Sequence, residues 1–181
     1  MKPTVIGFSG RIKSGKTTIS QAVAGALQLK RASFGDFVRD VAVYRGLDAD
    51  CRQVLQQLGE SLIAEGWLKF CRDVLQATDW TQGESIVVDG IRHADAVTEL
   101  SRLAAPMPVV LVHVETDEKT RITRLARKEL IEQESIKSHS TERDVREVLP
   151  SMAKLVVDGT KPIDVVVEEI AQFIADCSSS K

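Results

Sequence analysis

Eight consecutive residues, Gly10-Arg11-Ile12-Lys13-Ser14-Gly15-Lys16-Thr17, match G-x-x-x-x-G-K-[ST] at each fixed position. The chemistry open to such a segment is phosphate binding. Gly10 and Gly15 allow backbone torsions that a side chain resists. Successive N–H groups can then converge on one anion, reinforced by the N-terminus of a following helix. Lys16 would reach the β- and γ-phosphates of a nucleoside triphosphate, and the Thr17 hydroxyl would ligate Mg²⁺. Gly10, Ser14, Gly15, Lys16, Thr17 and Thr18 are the candidate nucleotide-binding residues here.

Further residues could complete a phosphate-handling site. Ile86-Val87-Val88-Asp89 is an apolar run ending in a carboxylate that could hold a metal-bound water, or could cap the next helix. Arg92, three residues on, has the planar fork that suits a phosphate; a surface ion pair is its other reading. In Phe34-Gly35-Asp36-Phe37-Val38-Arg39, Asp36 is either an N-cap or a ligand, and a base if the acceptor is a hydroxyl. Arg39, one turn later, could contact an acceptor phosphate. Arg52 and Gln56 share a helix face at i,i+4, and either recognise an acceptor or form a solvated surface. Trp67 reads as core before it reads as a stacking platform.

Arg121, Arg124 and Arg127 recur every third residue, with Lys128 and Arg143 nearby and acids between them. A charge run of this kind is ordinarily a solvated face. Phosphoryl transfer, however, needs cations near the moving group, and Arg124 and Arg127 are the candidates to close over it. His113 lies in a strongly strand-like run and is expected buried. His93 either flanks Arg92 at the site or is surface. His139 carries no assignment.

These residues need elements to hold them. Apolar runs at 4–9, 31–34, 85–89, 109–114 and 155–157 predict strands. Helical periodicity predicts helices over 16–29, 36–44, 50–64, 67–77, 93–103, 117–133 and 162–176. Short apolar strands alternating with helices imply an α/β fold with a parallel sheet covered on both faces. The charged stretch from 116 to 150 holds no strand and reads as helices projecting from the sheet, a lid.

Composition excludes other classes. The chain has 181 residues, 43% hydrophobic and 28% charged, which suits one folded domain rather than a disordered segment. Twenty-four basic and 26 acidic residues give a net charge of −2, which argues against stable nucleic-acid binding. With eight aromatic residues (five Phe, two Trp, one Tyr), base-stacking surfaces are poorly supplied. Cys51, Cys71 and Cys177 are far apart, which fits a reducing compartment and offers no structural zinc site. The apolar runs are too short to cross a bilayer, and the start lacks a secretory pattern. The expectation is a cytoplasmic protein with no membrane partner.

Taken in order, the motifs resemble the nucleoside monophosphate kinase superfamily of P-loop kinases. Gly10–Thr17 resembles the Walker A loop, and Asp89-Gly90-Ile91-Arg92 the Asp-x-Arg segment, without the Pro of adenylate kinases. Residues 120–127 resemble the helix leading into the lid, and Val157-Asp158-Gly159-Thr160 the late strand-turn near the adenine pocket. Residues 33–39 with 52–59 and Trp67 are similar to deoxynucleoside monophosphate kinases. Val87–Arg92 with Thr141-Glu142-Arg143-Asp144 looks more like dephospho-coenzyme-A-kinase-like and adenylate-kinase-like ATPases.

The resemblance implies a P-loop NTPase fold: a five-stranded parallel sheet of order 2-3-1-4-5 flanked by helices, in a single domain over 1–181. It implies an acceptor-binding helical region at about 36–80 and a lid at about 117–150. It implies ATP and Mg²⁺ as cofactors, with Gly159 at the nucleotide and Thr17 and Asp89 at the metal. Lys16, Arg92, Arg124, Arg127 and Asp36 would act in catalysis, and Asp36, Arg39, Arg52, Gln56 and Arg92 at the acceptor. The expected reaction is γ-phosphoryl transfer to a small phosphorylated acceptor, foremost a (deoxy)nucleoside monophosphate. Transfer to a hydroxyl, as in dephospho-coenzyme A kinases, and a non-kinase ATPase switch are the alternatives. A guanine-reading Asn-Lys-x-Asp motif is absent. A homodimer is left open.

Overall fold

Strand β1 (Val5–Gly10) is buried along its whole length, and the apolar stretches of β3 (Ile86–Ile91) and β4 (Val109–Glu115) flank it in parallel. Both faces of these strands are covered, so their sequences run apolar without the alternation of a half-solvated sheet. β2 (Lys30–Ser33) pairs with β3, and β5 (Leu155–Asp158) with β4, giving the order β2-β3-β1-β4-β5. The computed structural model describes residues 2–125 and 143–179.

Period-2 alternation sorts each strand between two cores. Val5, Ile86, Val88 and Leu111 face one core, where α2 (Phe34–Tyr44), α3 (Arg52–Ala64), α4 (Trp67–Gln76) and α5 (Ala94–Ala104) pack. Ile6, Phe8, Val87, Val110 and Val112 face the other, against α1 (Lys16–Ala26) and α8 (Ile163–Ser179). Each fully buried aliphatic side chain contributes about 1.5–3 kcal/mol relative to exposure. α6 (Glu118–Thr123), a π-helical turn (Asp144–Val148) and α7 (Leu149–Met152) complete the described elements, with Val145 and Leu149 buried in the first core.

β1 lies where the chain reverses its direction of travel across the sheet. From β1 the connections run outward to β2 and back through β3, then across to β4 and β5. In open parallel sheets this switch point leaves a crevice beyond the carboxyl ends of the strands. The eight-residue glycine-lysine segment runs from Gly10, the last residue of β1, into the first turn of α1, at the carboxyl end of the sheet.

Several boundaries differ from the sequence expectation. The first helix stops at Ala26 rather than 29, because Gln28 adopts φ 54° and Leu29 N donates to Ala24 O at 2.9 Å. That is a left-handed helix stop. Phe34 belongs to α2 rather than to the preceding strand, since Ser33 caps the helix by accepting from Asp36 N at 3.2 Å. Asp36 is therefore the third residue of the helix and not its cap. His93, not Asp89, holds the N-cap position of α5, because β3 continues past Asp89 to Ile91. The helix expected over 117–133 is described only as α6, capped by Asp117 accepting from Thr120 N at 2.8 Å. Half of the expected lid, residues 126–142 with Arg127, Lys128 and His139, lies outside the described residues. Among the described residues, no helix is long and apolar enough to cross a membrane.

Candidate active site

The loop after β1 is shaped by three residues in left-handed or extended-positive torsions: Gly10 (φ 150°), Lys13 (φ 63°) and Gly15 (φ 92°). A Cβ on Gly10 would stand 2.7 Å from both Ser14 Oγ and Val114 O, so only glycine fits there. Gly15 holds the N-cap position of α1, and Ser14 N donates to Arg11 O at 3.1 Å. The loop thus wraps onto the start of a three-turn helix, whose first residue is Lys16.

Arginines brace this loop from outside. Arg121 is 2% exposed; it donates to Ile12 O at 2.7 Å and to both Glu118 carboxylate oxygens at 3.0 Å. It is a buried strut, and the expectation of a solvated charge stripe fails at this position. Arg124, at the end of α6, donates to Gly159 O at 3.0 Å and to Lys13 O at 3.4 Å. Gly159 follows β5, and a Cβ there would collide with Ser14 O and stand 2.5 Å from Thr116 Oγ1.

A first cavity of about 410 Å³ opens over this loop, lined by Ser14, Gly15, Lys16, Thr18, Arg124 and Gly159 among others. Gly10 shapes the loop's base rather than lining the cavity. A second cavity of about 560 Å³ lies between the loop and α2–α5. Lys16 and Thr17 line both.

The second cavity gathers residues from five separate segments. Asp36, Arg39, Arg52, Gln56, Asp89 and Arg92, all marked by the sequence, line it. So do Phe34, Trp67, Phe70 and His93. Phe34 and Phe70 meet edge-to-face at 5.2 Å, and the Trp67 ring lies 5.0 Å from that of His93. Three of the chain's eight aromatics therefore converge on one wall. Phe34 and Phe70 are buried core residues as well as cavity lining, and Trp67 packs partly buried against that core.

Charge is arranged as a chain across the two cavities. Arg39 Nη1 lies 3.4 Å from Asp36 Oδ1, and Arg31 Nη1 lies 3.1 Å from Asp36 Oδ2. Arg31 Nη2 donates to Asp89 Oδ2 at 2.8 Å, while Lys16 Nζ stands 3.7 Å from Asp89 Oδ1. Burial pushes the Lys16 ammonium below the usual lysine range, opposed by Asp89. Burial likewise lowers His93, opposed by Asp144, whose Oδ2 is 3.6 Å from His93 Nδ1 and accepts from Ala94 N.

The profile of a family described as AAA domain matches residues 6–146. The chain belongs to this AAA-domain family. A UPF0200 protein from Aeropyrum pernix is 29% identical over 131 residues, covering 68% of this chain; the chain spans 64% of that relative's length. Among solved structures, an APS kinase of Mycobacterium tuberculosis, in complex with AMPPNP and APS, superposes with TM-score 0.64 at 15% identity. The match covers 96% of this chain and 98% of that one. A shikimate kinase of Aquifex aeolicus superposes at TM-score 0.59 and 16% identity, covering 98% and 99%. The fold of this AAA-domain protein is the P-loop kinase fold, with the 2-3-1-4-5 sheet.

The AAA-domain site suits a metal-bound nucleotide in two respects. Ser14 Oγ and Asp89 Oδ1 are buried polar atoms without a hydrogen-bond partner in the described structure. Orphaned polar atoms beside a cationic side chain fit a ligand that supplies the missing contacts. Thr17 and Asp89 line the same cavity and could hold Mg²⁺ or its water, and the loop with Lys16 could hold phosphates. Arg31 went unmarked by sequence reasoning. Its only signal was a charged residue in a short strand, and its partners lie 5, 11 and 58 residues away.

Proposed function

We propose that the chain is a phosphotransferase that moves the γ-phosphoryl group of ATP to a small phosphorylated acceptor, a (deoxy)nucleoside monophosphate. One observation carries the reading: Lys16 and Thr17 stand at the junction of two cavities. A switch protein needs only the first cavity. A transferase needs a second, with the phosphate-binding lysine between donor and acceptor.

In this reading the first cavity takes ATP, with the loop N–H groups and Lys16 on the phosphates and Gly159 and Arg124 lining it beside the loop. Magnesium, when bound through Thr17 and Asp89, neutralises charge developing between the β- and γ-phosphates. Arg39, Arg52 and Arg92 hold the acceptor phosphate in the second cavity and orient its oxygen toward the γ-phosphorus. That oxygen bonds to the γ-phosphorus as the bond to the β–γ bridging oxygen breaks, and ADP departs. Phe34, Trp67 and Phe70 offer an apolar wall for a planar base, and Gln56 a polar contact at its edge.

An acceptor phosphate is already anionic and needs no base. Asp36 sits between Arg31 and Arg39, which favours a structural part for it and a phosphate acceptor over a hydroxyl. The test is a screen of acceptors with γ-labelled ATP. Label is expected in a nucleoside diphosphate, with Lys16→Ala abolishing transfer. Arg39→Ala is expected to raise the acceptor KM about tenfold, the loss of one charge-assisted contact of about 1.4 kcal/mol, with the ATP KM little changed. Label released only to water would replace the transferase with a hydrolytic switch.

A further inference from the structure

Three buried or half-buried ionic groups meet beside the phosphate-binding loop: Arg31, Asp89 and Lys16. One carboxylate stands between two cations. Arg31 registers with Val87 on the neighbouring strand, and Asp89 is two residues further along, so both side chains project from the same face of the sheet. The guanidinium reaches along that face and bonds Asp89 Oδ2 at 2.8 Å. Its other terminal nitrogen is 3.1 Å from Asp36 Oδ2, and its Nε donates to Ser20 Oγ at 3.3 Å. Arg31 is thereby held at three points, on α1, α2 and β3.

Lys16 pairs with Asp89 as well, but more loosely. Its Nζ is 3.7 Å from Asp89 Oδ1, beyond hydrogen-bond length. Asp89 Oδ1 is buried and has no hydrogen-bond partner in the described structure. A lysine with a flexible stem would be expected to close on such an oxygen if the carboxylate were otherwise uncompensated, because a buried charge is costly without a partner. Arg31 supplies that compensation.

We propose that Arg31 is a positioning residue that neutralises Asp89 and so keeps the Lys16 ammonium available for the nucleotide phosphates. Arg31 and Asp89 form the close pair at 2.8 Å and Lys16 the longer one at 3.7 Å, while Lys16 lines both cavities at their junction. Without Arg31, Lys16 closes on Asp89 and the loop loses its cation. This rests on the nucleotide-binding part of the reading above, not on the identity of the acceptor.

The experiment measures affinity of the full chain for ATP in EDTA, by calorimetry, so that neither transfer nor metal contributes. Lys16→Ala is the reference, and its failure to weaken binding would dispose of the phosphate-binding assignment itself. Arg31→Gln is expected to weaken metal-free ATP binding about tenfold, the loss of one directed charge. Arg31→Lys is expected to recover most of that. The deciding variant is Arg31→Gln with Asp89→Asn. With no carboxylate to capture Lys16, affinity is expected to return toward wild type. A merely structural role predicts the opposite, since two lesions in one buried cluster would compound. The proposal is overturned if Arg31→Gln binds ATP as wild type does, or if the double variant binds no better than Arg31→Gln. Thermal unfolding of each variant separates misfolding from lost affinity; an unfolded Arg31→Gln leaves the comparison of Arg31→Lys with wild type to decide, where an undiminished affinity supports the proposal and a Lys16→Ala-like loss overturns it.

Discussion

Replacing Gly159 by alanine tests whether the backbone after β5 is pressed against the phosphate-binding loop. The added Cβ would overlap Ser14 O, stand 2.5 Å from Thr116 Oγ1 and 2.8 Å from Val114 Cγ1. These atoms have little freedom to yield. Thr116 Oγ1 donates to Ser14 O at 2.9 Å, and Gly159 N is tied to Glu115 O at 2.7 Å. Relief must come from moving backbone, and overpacking of this kind costs about 1–3 kcal/mol. For a chain of this size, each kcal/mol shifts Tm by about 2–4 °C, so a fall of about 2–12 °C is expected. Displacement of Ser14 and of the Gly159 carbonyl that Arg124 bonds should also weaken ATP binding, by about tenfold for each 1.4 kcal/mol of strain directed at the loop. Gly25→Ala is the internal control. A Cβ there meets nothing within 4 Å, and in the last turn of α1 the change should be neutral or stabilise, by at most about 1 kcal/mol. Thermal unfolding by circular dichroism and ATP titration calorimetry read both quantities. If Gly159→Ala melts and binds as the wild type does, the close approach of this turn to the loop is refuted.

Two further outcomes follow from buried titrating groups. Burial lowers the pKa of His113, whose Nδ1 is 2.9 Å from Ser9 Oγ on the adjacent strand, and His93 is lowered in the same direction. The neutral imidazoles are favoured by folding, so their contribution is present above the unfolded value near 6.5 and lost as pH falls through the folded values. The urea midpoint should therefore drop from about pH 7.5 to about pH 5, and drop less in His113→Gln; equal drops in both proteins would remove His113 as a contributor. Burial pushes the Cys71 thiol up to about 12, while Cys177 is exposed. At mildly alkaline pH, iodoacetamide followed by peptide mass spectrometry should label Cys177 in the folded protein and Cys71 only in denaturant.

The parts of the site legible in the sequence are those built from contiguous residues. The loop from Gly10 to Thr17 carries its own instructions, because torsional freedom, lysine and hydroxyl must lie at fixed offsets to surround one phosphate. Sheet order was legible through the resemblance, and the strands themselves through apolar runs that only a doubly covered sheet allows. Arg121 shows the limit. A repeat of arginines at every third position reads as a solvated stripe, yet this one turns inward to the Ile12 carbonyl. Whether a charged helix face meets water or a loop depends on what packs against it.

Residues that act across the sheet were decided by tertiary structure alone. Arg31, Asp36 and Asp89 are joined only because β2 pairs in register with β3 and α2 starts at the end of β2. Phe34, Trp67, Phe70 and His93 form one wall because α2, α4 and the start of α5 pack on the same face. No spacing in the chain encodes those meetings; they arise from the docking of helices on strands. The amino-acid sequence alone marked a contiguous segment whose atoms are suited to grip a phosphate, since such a grip is local. Only the folded chain decided what stands opposite the lysine: a second cavity with its arginines and aromatic wall, and an arginine from the edge strand holding Asp89.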